Sequence, residues 1–153
     1  MNKIKYFKDN VKKYAKLLKI KEPYLKQDNR LGKYYVCCVE IDIWKDNNEE
    51  FTLLRYNTNH IKESDKSNII HLILHELGHI KFRHHYLKHT LTNTINSEYE
   101  AEKFALAMIK KYHPNYYKRA LCRIENGIKQ TKKTQYKIAF SKLLEEEYES
   151  ENK

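Results

Sequence analysis

The residue types that can do chemistry are concentrated in one segment, HLILHELGHIKFRHH at residues 71–85, which holds five of the eight histidines. Inside this segment, the residues from His75 to His79 form an HExxH motif. Positions four apart on an α-helix lie roughly 40° apart around its axis, so both imidazoles can reach one metal ion. Glu76 lies beside that face, where its carboxylate can take a proton from a metal-bound water instead of binding the metal. The motif therefore predicts a hydrolytic zinc site on a helix.

The predicted motif helix has an apolar side and a side that is free for chemistry. It is expected to begin at the N-cap pair Ser64-Asp65 and to run to about Phe82. Gly78 lies mid-helix next to the histidine face, where glycine costs about 1 kcal/mol relative to alanine but allows a close approach. The apolar residues on the arc opposite the two histidines are Ile69, Ile70, Ile73, Leu74, Leu77 and Ile80.

A catalytic zinc usually has three protein ligands, and the third one has several candidates. His85 stands six residues after His79, as in the motif HExxHxxGxxH, but that motif needs a glycine where this chain has Phe82. His84 and His85 fit better as helix-end residues beside the C-terminal dipole. His71, one turn before His75, could line the cleft or offer an alternative ligand.

The better candidate lies in SEYEAEKFALAMI, residues 97–109. Glu98 and Glu102 share one helical stripe with small and apolar residues, and buried carboxylates without partners are costly. A metal would compensate Glu98, and Glu102 could hydrogen-bond a histidine that binds the metal. Glu100 falls on the opposite, solvated side, where it fits a capping box with Ser97. Periodicity thus favours Glu98 as the third ligand.

HELGH followed by ExEAxxFA resembles the gluzincin metallopeptidases, whose third zinc ligand is a glutamate on a separate helix. EYEAEKFA is most similar to the ImmA/IrrE family, and HELGHIKFRHH is similar to the HtpX-type peptidases and the soluble minigluzincins. The resemblance implies a zincin-like domain with one Zn²⁺ per chain, bound by His75, His79 and Glu98, with Glu76 as general base. Glu102 departs from the Asn or Asp that the family usually has at that position.

The elements that must position these residues predict a single α+β domain over residues 1–153. A first helix at about 6–21 and a hairpin of strands at Tyr34–Trp44 and 51–56 make up residues 1–63. The metal-site helices occupy 64–110, the second of them beginning near Ser97. C-terminal helices from Pro114 and at about 133–148 fill residues 111–153.

Composition narrows the class of protein. The net charge is +10, and residues 1–33 carry eleven Lys/Arg against three Asp/Glu. Lysine greatly outnumbers arginine, as in proteins encoded by AT-rich genomes, so direct nucleic-acid binding is a secondary expectation. No apolar run is long enough to cross a bilayer and the first residues form no signal peptide, so a cytoplasmic protein without membrane contact is expected. The three cysteines form no CxxC pair and are expected to be small buried residues.

The implied reaction is hydrolysis of a peptide bond in a protein or peptide substrate, which could pair with the strand 51–56 as a sheet edge. Candidates for stabilising the oxyanion or lining the cleft are Tyr112, His113, Tyr116 and Tyr117. The family resemblance implies a DNA-bound regulator as substrate. Two alternatives stay open. One is a zinc-binding regulator, either non-catalytic with a structural zinc site or latent with C-terminal helices that cover the cleft. The other is a basic nucleic-acid-binding protein.

Overall fold

The computed structural model describes residues 2–31, 39–46, 49–88 and 90–151. It is mostly helical with one small sheet, so the predicted α+β class is confirmed. The elements in chain order are α1 (Lys3–Leu17), β1 (Tyr24–Gln27), β2 (Val39–Asp46), β3 (Glu49–Tyr56), α2 (Thr58–Glu63), α3 (Lys66–Lys81), a 3₁₀ turn (His84–Tyr86), α4 (Leu91–Tyr112), α5 (Pro114–Gln130) and α6 (Thr134–Glu151).

The described strands form a three-stranded sheet in the order β1-β3-β2. β2 and β3 pair antiparallel, with Val39 opposite Tyr56 and Asp46 opposite Glu49, which confirms the predicted hairpin. β1 pairs parallel with β3, so β3 is the central strand. The prediction that residues 51–56 form an edge for substrate was therefore wrong. Residues 34–38 of the other predicted strand, with Cys37 and Cys38, lie outside the described residues.

One hydrophobic core joins the helices to the sheet. α3 contributes its apolar arc, fully buried at Ile69, Ile73 and Leu77, as its periodicity predicts. Helices α1 and α4 both pack on α3. Helices α5 and α6 pack on α4 and on each other. This packing leaves the histidine side of α3 facing α4.

The end of α1 and the start of α4 differ from the sequence predictions. α1 ends at Leu17, before the predicted end at residue 21, because Lys19 has a positive φ of 55° that cannot continue the helix. α4 begins at Leu91, not near Ser97, and its N-cap is Thr90, whose side chain accepts from the backbone N–H of Asn93. Ser97 is thus inside the helix, and the predicted capping box with Glu100 was wrong.

The N-cap of α3 is the predicted one, and α6 is longer than predicted. Asp65 caps α3, as predicted, by accepting from the backbone N–H of Asn68. α6 continues to Glu151.

Among the described cysteines, Cys122 is exposed on α5, so the expectation that it is buried was wrong. Within the part of the chain that the structure describes, none of the helices combines the length and apolarity needed to cross a bilayer.

Candidate metal centre

Three side chains from two helices meet between α3 and α4. His75 and His79 come from α3 and Glu98 from α4, and one ligand atom of each lies within 4.8 Å of the others. The His75 Nε2 atom is 3.1 Å from His79 Nε2 and 3.2 Å from Glu98 Oε2, and His79 Nε2 is 3.6 Å from Glu98 Oε1. Ligand atoms of a tetrahedral zinc ion lie about 3.4 Å apart, and these contacts, which involve both Glu98 oxygens, are close to that separation. The group can therefore hold a metal ion.

The three side chains of the cluster differ in charge in the metal-free protein. Burial raises the pKa of Glu98, but hydrogen bonds with His75 and His79 outweigh it and hold that pKa well below its usual range. Burial lowers the pKa of His75, but its contacts with Glu102 and Glu98 raise it well above the usual value. Burial lowers the pKa of His79. The cluster thus combines an ionised carboxylate, a neutral imidazole and an imidazole that a carboxylate pair keeps protonated.

Glu102 occupies the position expected for a partner of a metal-binding histidine. Its Oε2 atom is 2.8 Å from His75 Nδ1, on the far side of that ring from the cluster. Its Oε1 atom hydrogen-bonds with His71 Nε2, so one buried carboxylate joins two histidines one helical turn apart. Arg123 on α5 donates from Nε to His71 Nδ1 at 3.1 Å. His71 therefore supports the cluster through Glu102 and is not part of it.

The chain turns sharply after α3, and the turn brings one more histidine back to the site. Phe82 ends the helix with an ordinary φ of −91°, and Arg83 adopts the left-handed conformation at φ 58°. This turn places His84 Nδ1 2.9 Å from His79 Nδ1, and His84 Nε2 lies 2.9 Å from Glu100 Oε2. His84 lies just past the end of α3, as expected, and it also contacts His79, which the sequence did not predict. His85 lies outside the three-residue cluster.

Gly78 allows the two metal-site helices to approach closely. A Cβ atom at this position would lie 3.1 Å from Phe104 Cδ1, 3.2 Å from Ala101 Cα and 3.3 Å from the Ala101 carbonyl oxygen. All three distances are tighter than ordinary van der Waals contact. The close approach expected at Gly78 is therefore the approach of α4, the helix that carries Glu98 and Glu102.

Glu76, the expected general base, lies on α3 next to His75 and is buried, with 8% of its surface exposed. Its carboxylate is near enough to His75 to raise the pKa of that histidine. The general base predicted from the motif is therefore enclosed beside the first histidine of the cluster.

The residues expected to stabilise an oxyanion lie elsewhere. His113 contacts Tyr14, which hydrogen-bonds with His113 Nε2, and it stacks on Tyr116. Tyr117 donates to Glu147 Oε2 at 2.5 Å, and Tyr112 is exposed. A residue that the sequence did not single out approaches the cluster instead. Tyr136 of α6 donates from its hydroxyl to Glu98 Oε2 at 3.3 Å, with its ring stacked on Phe140.

Two imidazoles and one carboxylate are a donor set that zinc uses in catalytic sites, with a fourth position left for water or substrate. No protein-family model, curated protein or solved structure gives a significant match to this chain.

Proposed function

We propose that this chain is a zinc-dependent metalloendopeptidase of the gluzincin type, with a zincin-like fold and one Zn²⁺ per chain. The observation that supports the proposal is the meeting of His75, His79 and Glu98 at distances that suit one tetrahedral ion. Glu76 adds a second argument, because a purely structural metal site has no need of an acid at that position. The motif similarity to the ImmA/IrrE family is consistent with both.

Each residue has a defined role in this proposal. Zinc, when bound, supplies a Lewis acid that polarises the scissile carbonyl and activates water. The Glu76 carboxylate accepts a proton from the attacking water and passes it to the leaving amine. Glu102 orients His75 through the 2.8 Å hydrogen bond to its Nδ1 atom. The Tyr136 hydroxyl donates to the ligand Glu98 and is the candidate to stabilise the oxyanion.

An extended peptide is the substrate shape that the sheet suits best. β2 is an edge of the sheet formed by the described strands, and it contacts both α3 and the 3₁₀ turn that follows α3. A peptide that paired with β2 through its backbone would lie across the helix that carries His75 and His79. We therefore place the substrate on β2, not on the central strand β3.

The substrate class is proposed from charge and motif together. A net charge of +10 attracts an acidic protein or a protein bound to DNA, and ImmA/IrrE-like peptidases act on DNA-bound regulators. We propose a regulatory protein as the substrate, with direct nucleic-acid binding in a secondary role.

The test compares metal content and proteolysis in wild type, Glu76→Gln and Glu98→Ala, with fluorescently labelled casein as the substrate. We expect Glu76→Gln to retain zinc and lose proteolysis, because Glu76 handles the proton and does not bind the metal. We expect Glu98→Ala to lose both. Full zinc content in Glu98→Ala would assign the third ligand to another residue, with His85→Ala as the next variant.

A second candidate function is a latent or non-catalytic zinc-binding regulator. The observation that favours it is the position of Tyr136, since α6 brings this ring against the third ligand. A wild-type protein that binds one zinc ion but cleaves nothing, before and after α6 is removed by limited proteolysis, would favour the regulator. Salt-sensitive DNA binding by a zinc-free protein would favour the nucleic-acid reading instead.

A further inference from the structure

Both ring nitrogens of His79 lie within hydrogen-bonding distance of another histidine. Its Nε2 atom points into the metal cluster, 3.1 Å from His75 Nε2. Its Nδ1 atom is 2.9 Å from His84 Nδ1, and the other nitrogen of His84 is 2.9 Å from Glu100 Oε2. The side chain of His84 is 4% exposed and that of Glu100 is 61% exposed. A continuous hydrogen-bonded path thus runs from the protein surface to a proposed metal ligand.

The proton positions along this path follow from the roles of its ends. A metal on His79 Nε2 leaves the ring proton on Nδ1, which must donate to His84 Nδ1. His84 Nδ1 then accepts, so the proton of a neutral His84 lies on Nε2 and donates to the Glu100 carboxylate. Each donor meets one acceptor, and only this direction of donation leaves His79 Nε2 free for a metal.

We propose that His84 and Glu100 are positioning residues that fix the tautomer and ring orientation of His79. This inference rests on the proposed metal-binding function. Glu102 serves His75 in the same way from within the core, since its Oε2 atom accepts from His75 Nδ1. Each histidine of the motif would thus be oriented by a carboxylate of α4, directly for His75 and through one imidazole for His79.

The turn at Arg83 is what makes this arrangement possible. His84 lies five residues after His79. If the helix continued past residue 82, the two side chains would point about 140° apart around its axis. The left-handed residue redirects the chain, and His84 is returned to the far side of the His79 ring. A strained non-glycine residue at this point is consistent with a role for the residue that follows it.

The experiment measures the zinc affinity of Glu100→Ala and Glu100→Gln by competition with a chromophoric chelator. The control is Glu146→Ala, which removes a glutamate of α6 that binds Lys103 and Tyr99 away from the cluster. We expect Glu100→Ala to bind zinc about 10- to 100-fold more weakly than wild type, a loss typical of such partners. We expect Glu100→Gln to recover part of the loss, because its amide oxygen still accepts from His84. Glu146→Ala should bind zinc as wild type does.

Two further readouts separate positioning from folding. The visible absorption of the Co²⁺-loaded protein should change in Glu100→Ala, while the unfolding midpoint of the metal-free variant should match that of Glu146→Ala. His84→Ala should weaken zinc binding at least as much as Glu100→Ala, and His85→Ala should not. Equal zinc affinity in Glu100→Ala and Glu146→Ala would overturn the positioning role. Wild type that binds zinc without cleaving casein would overturn the proposed reaction only, whereas wild type without zinc would overturn both.

Discussion

Replacing Gly78 with alanine tests whether the close approach of α3 and α4 sets the metal ligands at their separation. The added Cβ would gain about 1 kcal/mol of helix propensity. It would also lie 3.1 Å from the ring of Phe104 and 3.2 Å from the backbone of Ala101, which cannot rotate away. Overpacking of this kind costs about 1–3 kcal/mol, so we expect a net loss of about 1 kcal/mol in the free energy of unfolding. For a chain of 153 residues that loss lowers the midpoint by about 2–4 °C.

The same displacement should weaken metal binding, because α4 carries Glu98 and α3 carries both histidines. Each 1.4 kcal/mol by which the added Cβ destabilises the metal-bound state more than the metal-free state raises the zinc Kd about tenfold. Gly127→Ala is the matched control, since among the described residues no atom beyond its chain neighbours and its own helix backbone lies within 4 Å of a Cβ added there. That variant should gain stability, by up to about 1 kcal/mol, and keep its zinc affinity. Thermal unfolding of the metal-free proteins and chelator competition measure both effects. A Gly78→Ala protein that is as stabilised as Gly127→Ala, with unchanged zinc affinity, would refute the reasoning.

Tyr136→Phe keeps the ring and removes the hydroxyl that donates to Glu98; we expect kcat to fall about tenfold or more with zinc content unchanged, and equal kcat would exclude the phenol from the reaction. Arg123→Met removes the hydrogen bond to His71 and should destabilise the protein by about 1–3 kcal/mol in urea unfolding, whereas an unchanged midpoint would show that the pair contributes nothing. Zinc at 100 times its Kd should add about 2.7 kcal/mol of stability, so chelation should lower the unfolding midpoint. Zinc binding at pH 7 should release about one proton, because the pKa of His75 lies well above its usual value in the metal-free protein. Calorimetry in buffers of different ionisation enthalpy measures the number of protons released. Zinc binding without proton release would contradict a protonated His75.

Most of what could be predicted came from the helical spacing of residues in the sequence. The four-residue spacing of His75 and His79 and the stripe through Glu98 and Glu102 predicted which side chains face each other across α3 and α4. Both patterns are properties of single helices, and the α3–α4 pairing was the only tertiary contact that the prediction needed. The capping signal at Ser97 failed because the helix already begins seven residues earlier, where the Thr90 side chain accepts from the backbone N–H of Asn93.

The parts that could not be predicted depend on chain turns and on the docking of distant helices. His84 reaches His79 only because Arg83 takes a positive φ, which no local rule assigns to arginine. Arg123 and Tyr136 reach the site from α5 and α6, and their partners lie 52 and 38 residues away in the chain. Strand β1 has only four residues, too few for an alternating pattern to be recognised, and its pairing with β3 made the predicted edge central.

The two hydrogen bonds of Glu102 limit where α4 can gain or lose a residue. Because this carboxylate is held by two histidines at once, it fixes the rotation of α4 about its own axis, and Glu98 shares that rotation one turn earlier. Consecutive helix residues are about 100° apart, so a single inserted or deleted residue between the two glutamates would swing one of them out of reach. Length variation among descendants of this sequence should therefore be rare between Glu98 and Glu102.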